Sequence, residues 1–371
     1  MIYFDNAATT FPKPQCVYDG INYAMHEYSF NAGRGSYEGA KKTFLMIEDT
    51  RQKLANIVKT TKENVIFTSS ATESLNNIIY GLDLKEEDVV FVSPFEHNAV
   101  LRTLNNCNVQ IKLIPFNKET WELKESEFND LVVLYKPKAI IISHISNVTG
   151  YELPYEKIFS VAKKYNAITV LDAAQSYGII TINKNNIDFI IFDGHKSLYA
   201  MFGIAGYVML TSISLKKVRV GGTGSDSLNL LMPSEKPYAY EAGSFNAIGI
   251  YSISCGLDFL SNNNIINKIK QLTKYFLEKI VDFPSIHTYL PNDYLPIGIV
   301  SFYIDGFSSN EIGSILEETS DICVRTGYHC AGYVHEFIES YKSQGTVRVS
   351  FGWFNTEKEI DQLLEVLSEI M

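Results

Sequence analysis

Ile187–Lys196 reads IDFIIFDGHK, and this stretch decides the fold. Ile187, Phe189, Ile190, Ile191 and Phe192 form an apolar, aromatic run with the length and content of a buried parallel strand. The run stops at Asp193-Gly194, leaving His195-Lys196 at the strand's carboxyl end. Open α/β sheets place their ligands at that end. A lysine there, beside an apolar wall, is a candidate Schiff-base former, because desolvation lowers an amine's pKa and frees its lone pair. Taken alone the signal is weak, since most lysines after a strand are solvated loop residues.

Working outward, Ile168–Gln175 reads ITVLDAAQ, a second β-branched strand that ends in Asp172 with Gln175 just beyond. A carboxylate at the tip of a buried strand needs a cationic or donor partner. The ring nitrogen of pyridoxal phosphate is such a partner, since an aspartate holds it protonated and the ring then accepts electrons from a substrate carbanion. A strand ending in Asp followed by a strand ending in His-Lys resembles the fold-type I pyridoxal-phosphate enzymes. Within them it is similar to the class V aminotransferase family, closest to the group II cysteine desulfurases and selenocysteine lyases. The resemblance runs from DNAATT at Asp5–Thr10 to GTVRVSFGWFNTEKEI at Gly345–Ile360. It implies an α/β fold: a large cofactor-binding domain over 15–262, with a mostly parallel seven-stranded sheet between helices, and a small α+β domain made of 1–14 and 263–371.

A chain of 371 residues exceeds one simple core, and 46% apolar with 20% charged residues suits a folded soluble protein. The net charge of −10 and the lack of a basic run argue against a nucleic-acid surface. No apolar stretch approaches membrane length, and the polar start MIYFDNAATT is not a signal peptide. Cys16, Cys107, Cys255, Cys323 and Cys330 are odd in number and scattered, with no CxxC pair, so neither a disulfide framework nor a metal site is indicated. These features point to a cytoplasmic protein with reduced thiols.

Along the chain, helices are expected over Gln15–Tyr28, Tyr37–Lys59, Pro154–Tyr165, Ile248–Leu260, Ile265–Lys279 and Ser309–Glu318. Strands are expected over Asn64–Thr68, Asp88–Ser93, Ile111–Pro115, Ala139–Ser143, Tyr207–Leu210, Gly298–Ile304, Ile322–Arg325 and Thr346–Ser350. Asn117–Asp130 reads as a polar surface excursion. Thr356 and Glu359 form a capping box for the last helix.

Ser69-Ser70-Ala71-Thr72-Glu73 opens a helix, and backbone N–H groups at such a start make an anion site, or a plain N-cap through Ser69 or Ser70. The resemblance implies that the cofactor phosphate sits there, on Ala71 and Thr72, with His195 as a further donor. It implies that His97, in Glu96-His97-Asn98, stacks on the pyridine ring and helps move a proton. Asn147, in Ser146-Asn147-Val148-Thr149-Gly150, would donate to the phenolate oxygen or to the substrate carboxylate, and Gln175 to the phenolic oxygen. Ser244, in Glu241-Ala242-Gly243-Ser244-Phe245-Asn246, would reach the phosphate of a neighbouring subunit, which implies a homodimer with shared active sites. Arg34, between Gly33 and Gly35, takes a supporting substrate-binding role.

Two departures stand out. Relatives usually carry a glycine-proline pair where Ala200-Met201 stand, and Ser or Pro where Asp193 precedes Gly194-His195. An aspartate brings like charge toward a phosphate dianion unless it points away or finds a cation.

Cys323 lies within a strand and reads as a buried small hydrophobe. Cys330 follows Arg325-Thr326-Gly327-Tyr328-His329 in a loop, where positive neighbours and partial exposure favour the thiolate. RxGxxC followed by the arginine strand VRVS resembles the group II cysteine desulfurases, in which this cysteine takes sulfur from the substrate. Arg348 occupies the position that clamps the amino acid's carboxylate, a task suited to a planar fork. The resemblance thus implies pyridoxal 5'-phosphate on Lys196, L-cysteine converted to L-alanine, and a Cys330 persulfide passed to an acceptor protein or a reductant. Alternatives are a selenocysteine lyase, another class V activity such as an aminotransferase, or a catalytically impaired relative serving as a binding subunit.

Overall fold

The structure, a computed structural model, describes residues 1–32, 35–224 and 228–370. Seven strands form one sheet in the order Val65–Thr68, Ala205–Met209, Phe189–Asp193, Ile168–Asp172, Ala139–Ser143, Val89–Val92, Gln110–Leu113. All run parallel except Ala205–Met209, which is antiparallel to both neighbours. The six strands other than the Gln110–Leu113 edge are buried throughout, which is why they read as apolar runs rather than alternating ones.

Alternate residues still serve opposite faces. Ile140, Ile142, Leu171, Ile190 and Phe192 enter one core, while Ala139, Ile141, Val170, Phe189 and Ile191 enter the other. A third core surrounds an antiparallel sheet of Arg325–Gly327, Thr346–Ser350, Ile299–Ile304 and Ile286–Thr288. Ile2–Tyr3 pairs parallel with Ile322–Cys323, and Phe4 is fully buried in this third core.

The polar-looking segment 117–130 is not a surface excursion. Trp121 and Phe128 are buried in the first core, and the helix Glu125–Tyr135 follows, because the few apolar residues among the charges fall on one side. The strand expected over Ile322–Arg325 divides in two. Ile322–Cys323 pairs with the amino-terminal strand and Arg325–Gly327 with Thr346–Ser350, so two partners compete for one apolar run. Cys323 is accordingly half-buried rather than enclosed. Two short elements carry too little pattern to be read from sequence: Gly332–Phe337, whose Phe337 packs on Phe95 at 5.0 Å, and Ile286–Thr288.

Two contacts set the position of the lysine loop. The helix Ala247–Ser261 crosses it at Gly256, where a Cβ would stand 2.0 Å from the Leu198 carbonyl. Ala200 N–H donates to the Gly194 carbonyl at 2.8 Å and closes the loop on itself without the glycine-proline pair of relatives. At the sheet edge, Arg51 forks onto Glu241 (2.7 and 3.0 Å) and donates to the Val65 carbonyl at 2.6 Å. Glu241 also accepts the Phe67 N–H at 2.7 Å. This buried pair ties the segment of Ser244 to the first strand. Arg51→Ala strands the Glu241 charge, and its expected cost is about 3–5 kcal/mol of stability, read by urea unfolding.

Candidate active site

The carboxyl ends of three adjacent parallel strands meet at one cleft. Asp172 pairs in register with Ser143 on one side and with Ile191 on the other, which places it beside the strand that delivers Asp193 and Lys196. Ala71, Thr72, His97, Asn147, Asp172, Gln175, Asp193 and Lys196 all line this cleft. Cys330 opens onto a neighbouring depression whose walls include Thr72, His97 and Ala99, residues that also line the cleft. Ser244 lies elsewhere, in a depression with Thr68, Ser69, Glu73 and Arg219, so one chain does not bring it to Lys196. Arg34 lies outside the described residues.

Ser70 caps the helix Ala71–Gly81 by accepting the Glu73 N–H, so the bland N-cap reading holds for that serine while Ala71 and Thr72 still face the cleft. Asp172 is buried, and its Oδ1 accepts the Ala174 N–H at 3.0 Å. Burial pushes its pKa up and Asp193 adds to this, while the Ala174 N–H and the charge of Lys196 act against it. Behind it lies an acid to which sequence reading assigned no role. Glu96 is wholly buried, bonded to Ser93 Oγ at 2.5 Å and to the N–H and Oγ of Ser143, both at 2.9 Å. Burial raises its pKa to about 8, so at neutral pH it holds its proton. The only sequence signal for it was an acidic residue just past a buried strand.

His97 caps the helix Asn98–Asn106, its Nδ1 accepting the Ala99 N–H at 3.0 Å. That bond places the ring proton on Nε2, and burial followed by the charge of Lys196 brings the pKa down to about 4. A neutral ring suits a stacking surface. With its Nδ1 lone pair taken by the Ala99 N–H, the ring has its Nε2–H left to give. Asn147 Nδ2 donates to the His329 carbonyl at 2.9 Å and Gln175 Nε2 to the Ala7 carbonyl at 2.8 Å, leaving each amide one further N–H.

Arg348 is buried and already engaged. One Nη donates to the Asn147 carbonyl at 2.8 Å and the other to Asp5 Oδ1 at 2.5 Å, while Nε has no partner among the described residues. Asp5, the head of the DNAATT stretch, therefore orients the fork. The rest of that arm is no loose tail. The His195 carbonyl, immediately before Lys196, accepts from Thr10 N–H (3.0 Å), Thr9 Oγ (3.0 Å) and Lys13 Nζ (2.9 Å).

Cys330 is exposed at the end of two consecutive left-handed residues, His329 (φ 45°) and Cys330 (φ 55°). Non-glycine residues hold that conformation only where their surroundings impose it. Here Asn98 N–H donates to the Cys330 carbonyl at 2.7 Å, and Asn147 holds the carbonyl before it. His329 is buried against Thr346 Oγ1 at 2.7 Å, and burial, then Arg348, push it well below the usual imidazole range. It is a neutral neighbour, which corrects its expected role as a positive one.

The model of the family described as Aminotransferase class-V matches residues 2–363. The chain belongs to that family. Among curated relatives, a probable cysteine desulfurase of Borreliella burgdorferi is 30% identical over 100% of this chain and 92% of the relative. One of Methanothermobacter thermautotrophicus is 28% identical over 100% and 94%. The apo structure of the cysteine desulfurase from Thermococcus onnurineus NA1 has 27% identity and a TM-score of 0.91, over 100% of this chain and 94% of that one. Class-V aminotransferases as a family imply pyridoxal phosphate. Among the described residues no helix is long and apolar enough to cross a membrane, and no group of three or more His, Cys, Asp and Glu side chains is placed to hold a metal ion.

Glu96 gives this class-V chain a measurable pH signature. Its folded pKa is raised from 4.5 to about 8, so the folded state keeps a proton that the unfolded chain gives up. That contribution to stability is complete below pH 4.5, declines across the window, and is gone above about pH 8. Glu96→Gln has no such loss. Its stability relative to the parent is expected to rise by about 1.4 kcal/mol per pH unit across the window, read by unfolding at a series of pH values.

Proposed function

We propose that this chain is a pyridoxal-phosphate-dependent cysteine desulfurase that passes the sulfur of L-cysteine to Cys330 and releases L-alanine. The observation that carries this reading is the placement of Cys330. It is exposed, held on a strained turn, and its backbone is tied to Asn98 while the residue before it is tied to Asn147 in the Lys196 cleft.

The residues present fit the cofactor. Asp172 is a buried carboxylate whose only hydrogen bond described uses one oxygen, and the acid behind it, Glu96, carries a proton at neutral pH, so the two do not compete for charge. Lys196 would hold the aldehyde carbon, Asp172 the ring nitrogen, His97 one ring face, and the helix start at Ala71 and Thr72 the phosphate, with His195 beside it. The second N–H groups of Asn147 and Gln175 are available to the ring oxygen. When bound, the cofactor supplies an electron-withdrawing ring that acidifies the amino acid's α-carbon.

Every other part of the reaction belongs to the chain. Arg348, with Asn147 beside it, binds the substrate carboxylate using the N–H groups that Asp5 and the Asn147 carbonyl leave free. Lys196 Nζ moves the α-proton. Cys330 Sγ, as thiolate, attacks the γ-sulfur; one sulfur–sulfur bond forms as the carbon–sulfur bond breaks, and that bond's electron pair stays with the β-carbon, which takes up a proton to become the methyl of alanine, leaving a persulfide on Cys330. The exposure of Cys330 supports onward transfer to an acceptor protein or a reductant. Ser244 lines a depression that does not include Lys196, which supports a homodimer in which that residue serves the partner's site. The separate core around the antiparallel sheet supports a large domain over 15–262 and a small one made of 1–14 and 263–371. All five cysteines are free, as suits the cytoplasm.

The deciding experiment supplies L-cysteine to the purified, cofactor-loaded protein and measures alanine together with persulfide on Cys330. Neither product, with cofactor bound, sinks the reading. Cys330→Ala is expected to form no protein-bound persulfide and to lose alanine release from L-cysteine. Arg348→Lys exchanges a fork for a point charge. Its expected effect is a rise of about tenfold or more in KM for L-cysteine, with a smaller change in kcat, measured by steady-state kinetics.

A further inference from the structure

Asp193 is the departure that the proposed reaction does not use, and its surroundings give it a role. It ends the strand that delivers Lys196, is buried, and lines the cleft alongside Ala71, Thr72 and Lys196, at the helix start suited to an anion. Its Oδ2 lies 3.4 Å from His195 Nε2. Its Oδ1 is buried with no hydrogen-bond partner among the described residues, and the same holds for His195 Nδ1, on a ring stacked 4.4 Å from Phe202. Burial works to raise the Asp193 pKa. The hydrogen bond from His195 and the charges of Lys196 and His195 outweigh it, so the carboxyl is held below its ordinary value.

The charged and titratable groups around this carboxylate do little to offset an added dianion. Its own segment offers His195 and Lys196, and the adjacent strand adds Asp172, another acid. His97, across the cleft, is neutral. On the first turn of the helix Ala71–Gly81, Glu73 faces away onto Ser69 and Arg219. From the amino-terminal arm comes Lys13, whose Nζ sits on the His195 carbonyl and on Thr10 Oγ at 2.8 Å. Burial draws that ammonium down to about 7, against the pull of Asp193. Two acids crowded into one low-dielectric site cannot both stay fully ionised, and the usual outcome is a proton held between them.

We propose that Asp193 Oδ1 and the phosphate of bound pyridoxal phosphate share one proton, taken up from solvent on binding. This rests on the cofactor assignment made above. The bond is an O–H···O contact between carboxylate and phosphate, in a place where a serine would instead donate to a dianion. Because a free phosphate monoester loses its second proton near pH 6, binding above that pH costs a proton from solution, and affinity falls as pH rises by about tenfold per unit.

The test uses the full chain and 4'-deoxypyridoxine 5'-phosphate, a cofactor analogue with no aldehyde to react with Lys196. Calorimetric titration at pH 8 in buffers of different ionisation enthalpy counts the protons taken up. The parent is expected to take up about one more proton per ligand than Asp193→Asn, whose affinity loses the tenfold-per-unit pH dependence. Lys13→Met and His195→Asn are expected to keep the uptake. Uptake by Asp193→Asn equal to that of the parent, or loss of the extra proton in either of the other two variants, puts the proton on another group and overturns the proposal. Binding by the parent without uptake overturns it while leaving the cofactor reading intact. Binding by Asp193→Asn alone makes Asp193 a repelling group and likewise overturns it. No binding by any of the four proteins removes the cofactor reading and this proposal together.

Discussion

Three acidic side chains, Glu96, Asp172 and Asp193, are buried at the carboxyl end of one sheet, and the site depends on which of them carries charge. Glu96 answers by keeping its proton within a shell of serines. Asp172 faces the cleft, its pKa raised by burial while the charge of Lys196 pulls the other way. Asp193 takes an imidazole at 3.4 Å and leaves its other oxygen unmatched. This division of protons matters because burial penalises charge far more than it penalises a hydrogen-bonded neutral acid.

The cations are arranged with the same economy. Arg348 comes from the small antiparallel sheet and meets the cleft through Asn147, one of its lining residues, while its Coulomb partner Asp5 comes from the opposite end of the chain. Burial works against the charge on Arg348, and Asp5 offsets it. Because Arg348 holds the Asn147 carbonyl while Asn147 holds the carbonyl before Cys330, the arginine, the cleft wall and the Cys330 turn share one hydrogen-bonded chain. Movement of any one member is felt by the other two.

The fold was legible because its strands are short apolar runs between breakers. Ile168–Asp172 and Ala139–Ser143 carry no competing helical period, and their bounds follow the sequence pattern. The lining of the cleft was legible for a related reason, since strand ends and helix starts in a parallel sheet converge on one edge. What escaped were residues whose role is created by burial or by distant segments. Lys13 looks like a surface lysine between two prolines until the fold sets it on the His195 carbonyl. Glu96 looks like a solvated acid until the sheet closes over it. His329 looks like a positive neighbour of Cys330 until its ring is enclosed and discharged. In segment 117–130, charge density concealed the few side chains that matter for packing.

The arm from Phe4 to Lys13 carries one last implication. Its backbone joins the small sheet where Ser350 N–H meets the Phe4 carbonyl, and its hydroxyls and lysine clamp the peptide that presents Lys196. The arm's partners come from distant parts of the chain, the His195 carbonyl from its middle and Ser350 from the strand Thr346–Ser350, so its contacts are of high sequence separation. The seven-stranded sheet draws only on residues 65–209, so docking of the arm on the small sheet is a separable step of folding.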